Sequence, residues 1–330
     1  MNIVVLHSEI DSCAPADEQD VLTQVEAVSS ALRTMGHSAV ALPFSLDLPS
    51  LSQRLRLESC DFVFNLVETG GGQGRLIHLA PAFLDFLNLP YSGAGTEATF
   101  LTSNKLAAKR FLSANRLRTP AWVSLGDSSI KGAFPMGSPF IVKSIWEHAS
   151  IGLEEDSIVR PEDLNGLRDD IRKRLGQIGA AGFAEQYIDG REFNLAILAG
   201  SEGPDVLPPA EIEFIGYEDN RYRIVGYRAK WDDKAFEYHH TPRRFDFGQK
   251  DRPLLLSLKR MALRCWKLFD LRGYARVDFR VDREGIPWVL EINSNPCLSP
   301  DSGFTAATVR AGLCYEDVIG RIMEDTFRKV

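Results

Sequence analysis

No run in this sequence approaches the ~20 uninterrupted apolar residues that span a bilayer, so no membrane helix is expected. Met1-Asn2-Ile3-Val4-Val5-Leu6 turns polar too soon, with no basic residue ahead of it, to read as a signal peptide. Cysteine is sparse. Cys13, Cys60, Cys265, Cys297 and Cys314 are odd in number and contain no C-x-x-C, which argues against a disulfide framework and a zinc knuckle. A surplus of positive charge is also missing. Lys and Arg number 38 against 45 Asp and Glu, a formal net charge of -7. A broad basic face for nucleic acid or anionic lipid is therefore not expected, although a local basic pocket is compatible. No G-x-G-x-x-G follows the first strand, which argues against a dinucleotide-binding dehydrogenase, and no G-x-S-x-G elbow points to serine hydrolysis. There is no internal repeat and no low-complexity tract. The expectation is a cytoplasmic protein with no nucleic-acid or membrane partner.

What is present is the balance of a globular chain, 44% hydrophobic and 25% charged, with length for two or three domains among 330 residues. Ile3 to Leu6 reads as a strand. Val21, Leu22, Val25, Val28, Leu32 and Met35 recur at helical spacing before Gly36. Residues 61–66 read as a second strand, Gly70-Gly71-Gly72-Gln73-Gly74 as a loop, and Leu76 to Leu87 as an apolar helix face. This βαβα order implies an α/β fold with a parallel sheet wrapped by helices. Further on, a helix over 104–114, a strand over 139–143, a loop over 144–156 and a charged helix over 161–175 are predicted. Strands follow at 183–188 and 193–198. The polar stretch 217–250 reads as loops, and the chain ends with a hairpin and a helix.

The hairpin carries the most chemistry. With Asp282-Arg283-Glu284-Gly285 as a four-residue turn, Val281 would face Ile286, Asp278 face Val289, Arg276 face Glu291, and Tyr274 face Asn293. Arg276, Asp278, Glu291 and Asn293 then share one face. Ala275, Val277, Phe279, Val281, Leu290 and Ile292 take the core face. Two carboxylates and an amide oxygen suit Mg²⁺, and an arginine beside them makes sense if a phosphoryl group lies between. A solvated hairpin with a surface Arg–Glu pair is the alternative.

Arg276-Val277-Asp278-Phe279 and Glu291-Ile292-Asn293-Ser294-Asn295-Pro296 resemble the metal-binding end of ATP-grasp ligases, especially the D-alanine–D-alanine ligase family. The resemblance implies a two-sheet α+β ATP-grasp fold preceded by a Rossmann-like parallel-sheet domain. It makes Asp278, Glu291 and Asn293 ligands of two Mg²⁺, with Mn²⁺ as a substitute, and Arg276 the stabiliser of the tetrahedral intermediate. It places Lys105 and Lys143 at the two lysines that bind ATP phosphates, although either alone also reads as a solvated surface lysine. Glu147-His148-Ala149-Ser150-Ile151-Gly152 takes the position of the phosphate-covering loop. Ser150 matches its second serine, and His148 stands where Gly is usual and reads as a loop residue rather than a base. By the same resemblance, 183–188 is the adenine hinge, with Glu185 and Ile188 at the nucleotide and Glu192 on the ribose. Tyr227-Arg228-Ala229-Lys230-Trp231 supplies Lys230 to phosphate and Trp231 to the substrate. Ser302 matches a serine near the second substrate's carboxylate, and Glu18 a residue holding the first substrate's ammonium. An acidic first helical turn also explains Glu18 without a ligand.

Three departures from the family pattern fall on the amino-acid side: Val67-Glu68 for H-G, Gly70 to Gly74 for G-E-D-G, and Cys297 for Gly. The resemblance therefore implies ATP-dependent ligation of two small molecules, an amino-acid-like carboxylate and an amine, through an acyl phosphate, and argues against D-alanine. A homodimer fits the family. The rival reading is a Mg-ATP-binding, non-ligating regulatory protein. The expected division is a substrate-side domain over 1–101, a central ATP-grasp subdomain over 102–182 and a C-terminal one with the metal site over 183–330.

Overall fold

The computed structural model describes residues 1–10, 15–127, 137–147, 150–178 and 181–328, with the side chains of residues 16–18 excepted. The first apolar runs pair in parallel: β1 (Asn2–Ser8) lies between β2 (Ser38–Phe44) and β3 (Phe62–Leu66). Alternation along β1 feeds two cores. Ile3 and Val5 pack with Val21, Val25, Val28 and Leu32 of α1 (Ala16–Thr34). Val4 and Leu6 pack with Leu51 and Leu55 of α2 (Leu48–Leu57) and with Phe83 and Leu84 of α3 (Leu79–Leu87). The chain then continues through α4 (Thr96–Ser103) and α5 (Lys105–Ala114).

A four-stranded antiparallel sheet follows, built from β4 (Trp122–Ser124), β5 (Phe140–Ser144), β6 (Ile158–Val159) and β7 (Gly182–Gln186) in the order β4-β7-β5-β6. Leu167, Ile171 and Ile178 of α6 (Leu164–Ile178) cover it against Val123, Phe140, Val142 and Ala184.

The last sheet comprises β8 (Gly190–Leu198), β9 (Asp205–Val206), β10 (Ala210–Ile212), β11 (Arg243–Arg244), β12 (Tyr274–Asp282) and β13 (Pro287–Asn293). Its order is β11-β10-β8-β12-β13, with β9 on the edge of β8. The stretch read as polar loops contains two short helices, α7 (Arg228–Trp231) and α8 (Phe236–His239). α9 (Arg252–Leu268) lays Leu258, Ala262, Cys265 and Trp266 on Phe193, Leu195, Val277 and Phe279. The chain ends in two helices rather than one, α10 (Gly303–Arg310) and α11 (Tyr315–Phe327). Phe304, Val318, Ile319 and Ile322 return to the α1 side of the first sheet.

The hairpin differs from its expected register. Asp282 N donates to Ile286 O at 3.0 Å, and Gly285 adopts φ +79°, so the turn is a three-residue loop with a left-handed glycine. Val281 therefore faces Pro287, and Phe279 faces Val289. A bulge at Leu290 then shifts the register again, so Asp278 faces Glu291 and Arg276 faces Asn293. Leu290, expected in the core, is the half-buried extra residue, and Val289 is fully buried instead. The two offsets of one residue combine to an even shift. The four polar side chains thus share a face as expected, with partners other than those expected.

Gly190 opens β8 opposite Asp282 at φ +149°, and a Cβ there would overlap the Val281 carbonyl oxygen. Gly190→Ala is expected to lower stability by about 2–3 kcal/mol, read as a reduced midpoint in urea unfolding. An unchanged midpoint would contradict this packing.

Candidate active site

β12 runs between β8 and β13, so alternate residues of three strands build one polar wall. Register places Arg280 opposite Glu192, and Asp278 between Asn194 and Glu291. Arg276 grips Asp278 with two hydrogen bonds, Nε to Oδ1 and Nη2 to Oδ2, each 2.8 Å. Asn194 Nδ2 donates a third to Asp278 Oδ1 at 2.8 Å. Burial alone would lower the Arg276 pKa, but Asp278 outweighs it and raises it. Asn293 Oδ1 accepts from Asn295 N at 2.9 Å. Thr102 and Ser294 hydroxyls share a 2.8 Å hydrogen bond that holds α4 to the hairpin exit.

No three His, Cys, Asp or Glu side chains converge as a metal cluster among the described residues. The wall offers two directly opposed carboxylates, Asp278 and Glu291, with Asn293 on the same face. That donor set fits Mg²⁺, which takes one or two carboxylates and fills its remaining positions with water and phosphate oxygens. It would not fit a cation that needs an all-protein cage.

Two lysines approach this wall. Lys105 begins α5, whose first turn is capped by the Asn104 side chain accepting from Leu106 N and Ala107 N. Its Nζ lies 3.5 Å from Glu291 Oε1 and donates to Glu147 O at 2.7 Å. Lys143, on β5, donates to Glu185 Oε1 at 2.5 Å. The other oxygen of Glu185 accepts from Lys109 at 2.7 Å, and Lys109 also donates to Thr119 Oγ1 at 2.7 Å. Glu185 and Lys109 side chains are each only 2% exposed. Burial would raise the Glu185 carboxyl, yet Lys109 and Lys143 outweigh it and hold it below the usual carboxylate range. Burial also pulls Lys109 below the ordinary lysine value, which Glu185 only partly offsets. Glu185, expected at the nucleotide, thus has both oxygens engaged by lysines, Lys109 and Lys143.

Beyond β7, Ile188 is buried and Glu192 half-buried. Desolvation pushes the Glu192 carboxyl up, against the pull of Arg280. Two loops from different sheets are stitched beside this end. Ser150 Oγ donates to Val225 O at 3.0 Å, and Tyr227 N donates to Leu153 O at 3.0 Å. Arg221 pairs with Glu155 at 3.2 Å and with Glu237. Lys230 and the half-buried Trp231 close α7. Protein mass around Lys230 and the nearby Arg276 both draw its pKa down, although its side chain still reaches water and the effect is correspondingly screened. His148 lies outside the described residues, as does the side chain of Glu18. Ser302 is the N-cap of α10, its Oγ accepting from Thr305 N at 3.2 Å.

Two of the three departures from the family pattern, Val67-Glu68 and Cys297, are tied to α1. Val67 is buried, and Glu68 accepts from Gln24 Nε2 at 3.0 Å. Gln24 Oε1 in turn accepts from Leu298 N at 3.0 Å. Cys297 Sγ donates to Asp20 Oδ2 at 3.0 Å, and Ser299 Oγ donates to Asp20 Oδ1 at 2.7 Å. Burial, then Glu68 and Asp20, push the Cys297 thiol up, which keeps it a donor rather than a nucleophile. Arg243 reaches α10, with Nη1 3.4 Å from Asp301 O.

Sequence reasoning missed Asn194, Arg280, Asp20 and Arg243. Alternation along Glu192-x-Asn194 and Asp278-x-Arg280 carried a signal for the first two. Asp20 and Arg243 had none, because what defines them is contact with residues far along the chain.

Comparison with known proteins shows what this chain is similar to. Residues 118–324 match the family model described as D-ala D-ala ligase C-terminus. The D-alanine–D-alanine ligase of Synechococcus sp. (strain JA-2-3B'a(2-13)) is 30% identical over 100% of this chain and 94% of its own length. That of Gloeobacter violaceus is 30% identical over 98% and 99%. The crystal structure of the Bacillus anthracis D-alanine–D-alanine ligase complexed with ATP superimposes with a TM-score of 0.73 at 22% identity, covering 99% of this chain and 97% of the other. The D-alanyl-alanine synthetase A of Vibrio cholerae gives 0.73 at 17%, covering 99% of each.

Proposed function

Because this chain belongs to the D-alanine–D-alanine ligase family of ATP-grasp enzymes, and is an ATP-dependent, ADP-forming ligase, we propose that it joins an amino acid or amino-acid-like carboxylate to an amine through an acyl phosphate. The observation that carries this reading is the single polar wall of Asp278, Glu291 and Asn293, with Arg276 locked to Asp278 and Lys105 reaching Glu291. Asp278, Glu291 and Asn293 would hold two Mg²⁺, for which Mn²⁺ could substitute. When bound, Mg²⁺ supplies positive charge that neutralises phosphate oxygens.

The chain's own groups do the rest. Lys105, Lys143 and Lys230 hold the phosphates as point charges, and Lys143 is kept aimed by Glu185. Glu192 accepts from ribose hydroxyls, while Glu185 and Ile188 shape the adenine hinge. Transfer of the γ-phosphoryl group to a carboxylate asks for alignment and charge neutralisation rather than a covalent nucleophile. Arg276, fixed by a two-pronged bond, then meets the oxyanion that forms when the amine attacks. The stitched loops bearing Ser150 and Trp231 exclude water, which would otherwise hydrolyse the acyl phosphate. Ser302, at the N-terminus of α10, and Glu18 complete the amino-acid side.

The division into a substrate-side domain over 1–101 and ATP-grasp subdomains over 102–182 and 183–330 belongs to this reading, as do a homodimer and a cytoplasmic location. No helix among the described residues is long and apolar enough to cross a membrane. Val67-Glu68, Gly70 to Gly74 and Cys297 depart from the family pattern where the amino acids would sit, which favours substrates other than D-alanine.

The test is Mg-ATP with pairs drawn from D- and L-amino acids, D-alanine included. ADP and phosphate release should require both partners, and mass spectrometry should find a product of the two minus one water. Amine-independent release, or none across a broad panel, would count against the proposal.

A further inference from the structure

The alternation on β12 continues past Asp278 to Arg280, which faces the same wall yet is only 3% exposed. Cross-strand register sets it opposite Glu192, with Nε 3.5 Å from Glu192 Oε2. Its other nitrogens donate to Gly190 O at 3.0 Å, to Tyr187 Oη at 3.4 Å and to Arg223 O. The guanidinium carbon lies 5.3 Å from the Tyr187 ring centroid and 5.7 Å from that of Phe214. Carbonyls and rings from separate stretches of chain therefore fix this planar group before any ligand arrives. A buried guanidinium with several fixed acceptors has little rotational freedom, and a carboxylate paired with it inherits that order.

We infer that Arg280 is a positioning residue for the nucleotide. It holds the Glu192 carboxylate in one orientation to accept from the ribose hydroxyls, and through the Arg223 carbonyl it ties that carboxylate to the segment bearing Lys230. Arg280 itself touches no substrate in this arrangement. The inference rests on the nucleotide reading above, and the two fail differently.

The experiment compares ATP with 2′,3′-dideoxy-ATP, which lacks both ribose hydroxyls, by their KM values in ADP release by the full chain. The native protein should prefer ATP by roughly ten- to a hundredfold, the scale of hydrogen bonds to a charged acceptor. Arg280→Met should cut that preference below about threefold, while kcat with saturating dideoxy-ATP stays within about threefold of native. A change in structure alone would weaken both nucleotides and leave their ratio intact. In a Glu192→Gln background, Arg280→Met should no longer alter the ratio. That pair also removes the half-buried carboxylate left without its partner, and so covers the case in which Arg280→Met alone does not fold. Arg280→Lys keeps the charge but not the fork, and its preference should fall between those of native and Arg280→Met. A native-like preference in Arg280→Met or Arg280→Lys, or an equal loss in the Glu192→Gln background, overturns the inference and leaves the ribose contact standing. A native protein that does not distinguish the two nucleotides overturns the ribose contact and the inference together.

Discussion

Asp278→Asn should lower amine-dependent ADP release at saturating Mg-ATP by at least about a thousandfold. The substitution keeps shape and removes one charge. Asp278 now accepts from both prongs of Arg276 and from Asn194. An amide there offers one acceptor oxygen, and its NH₂ group must face a donor. The change therefore removes a carboxylate from the proposed metal wall and loosens the arginine proposed to meet the oxyanion. Charge stabilisation of this kind is worth several kcal/mol, and each ~1.4 kcal/mol is a factor of ten in rate. Three factors of ten are thus the expected scale. Circular dichroism should be unchanged, and raised Mg²⁺ should recover only part of the loss. Activity within tenfold of native in a folded variant would mean that Asp278 does not hold the metal.

Glu185→Leu should destabilise the fold by about 3–5 kcal/mol in urea unfolding, the usual result of stripping the partner from a buried charge. Lys109 would be left in the interior with neutral partners, the Thr119 hydroxyl and the Trp122 ring. Adding Lys109→Met should recover more than half of the loss, because the orphaned charge goes too. The pH dependence identifies the cause. The Glu185 carboxyl is held below its unfolded value of about 4.3, so its contribution is complete above that pH. It is lost as pH falls through the depressed folded value. The gap between native protein and Glu185→Leu should therefore narrow in acid. A gap that is constant with pH would point to lost packing rather than lost ion pairs.

The polar wall proposed for the nucleotide and metal was largely legible in the sequence as a shared face because its residues are local. Arg276, Asp278, Glu291 and Asn293 lie on one hairpin, and Lys105 and Lys143 mark the start of a helix and the end of a strand. Strand alternation finds such faces even when the partners are misassigned, as happened for Asp278. β2 and α9 were passed over although their signals exist. Leu254, Leu258, Met261, Ala262, Cys265 and Trp266 recur at helical spacing within α9. The region proposed for the amino acids resisted for a different reason. Asp20 and Cys297 meet across most of the chain's length, and nothing local in either segment announces the other. Glu185 was legible as a conspicuous carboxylate, but its double engagement appears only when α5, β5 and β7 are packed together.

The hairpin has a consequence for how its length can vary in evolution. Its three-residue turn alone would set Glu291 opposite Val277, pointing into the core, and Leu290 is the surplus residue that brings it round to Asp278. A turn of two or four residues without a bulge would give the same facing. What is constrained between the two carboxylates is therefore parity rather than count. Insertions and deletions there should be tolerated in even steps, while a single-residue change must be cancelled by a second one nearby.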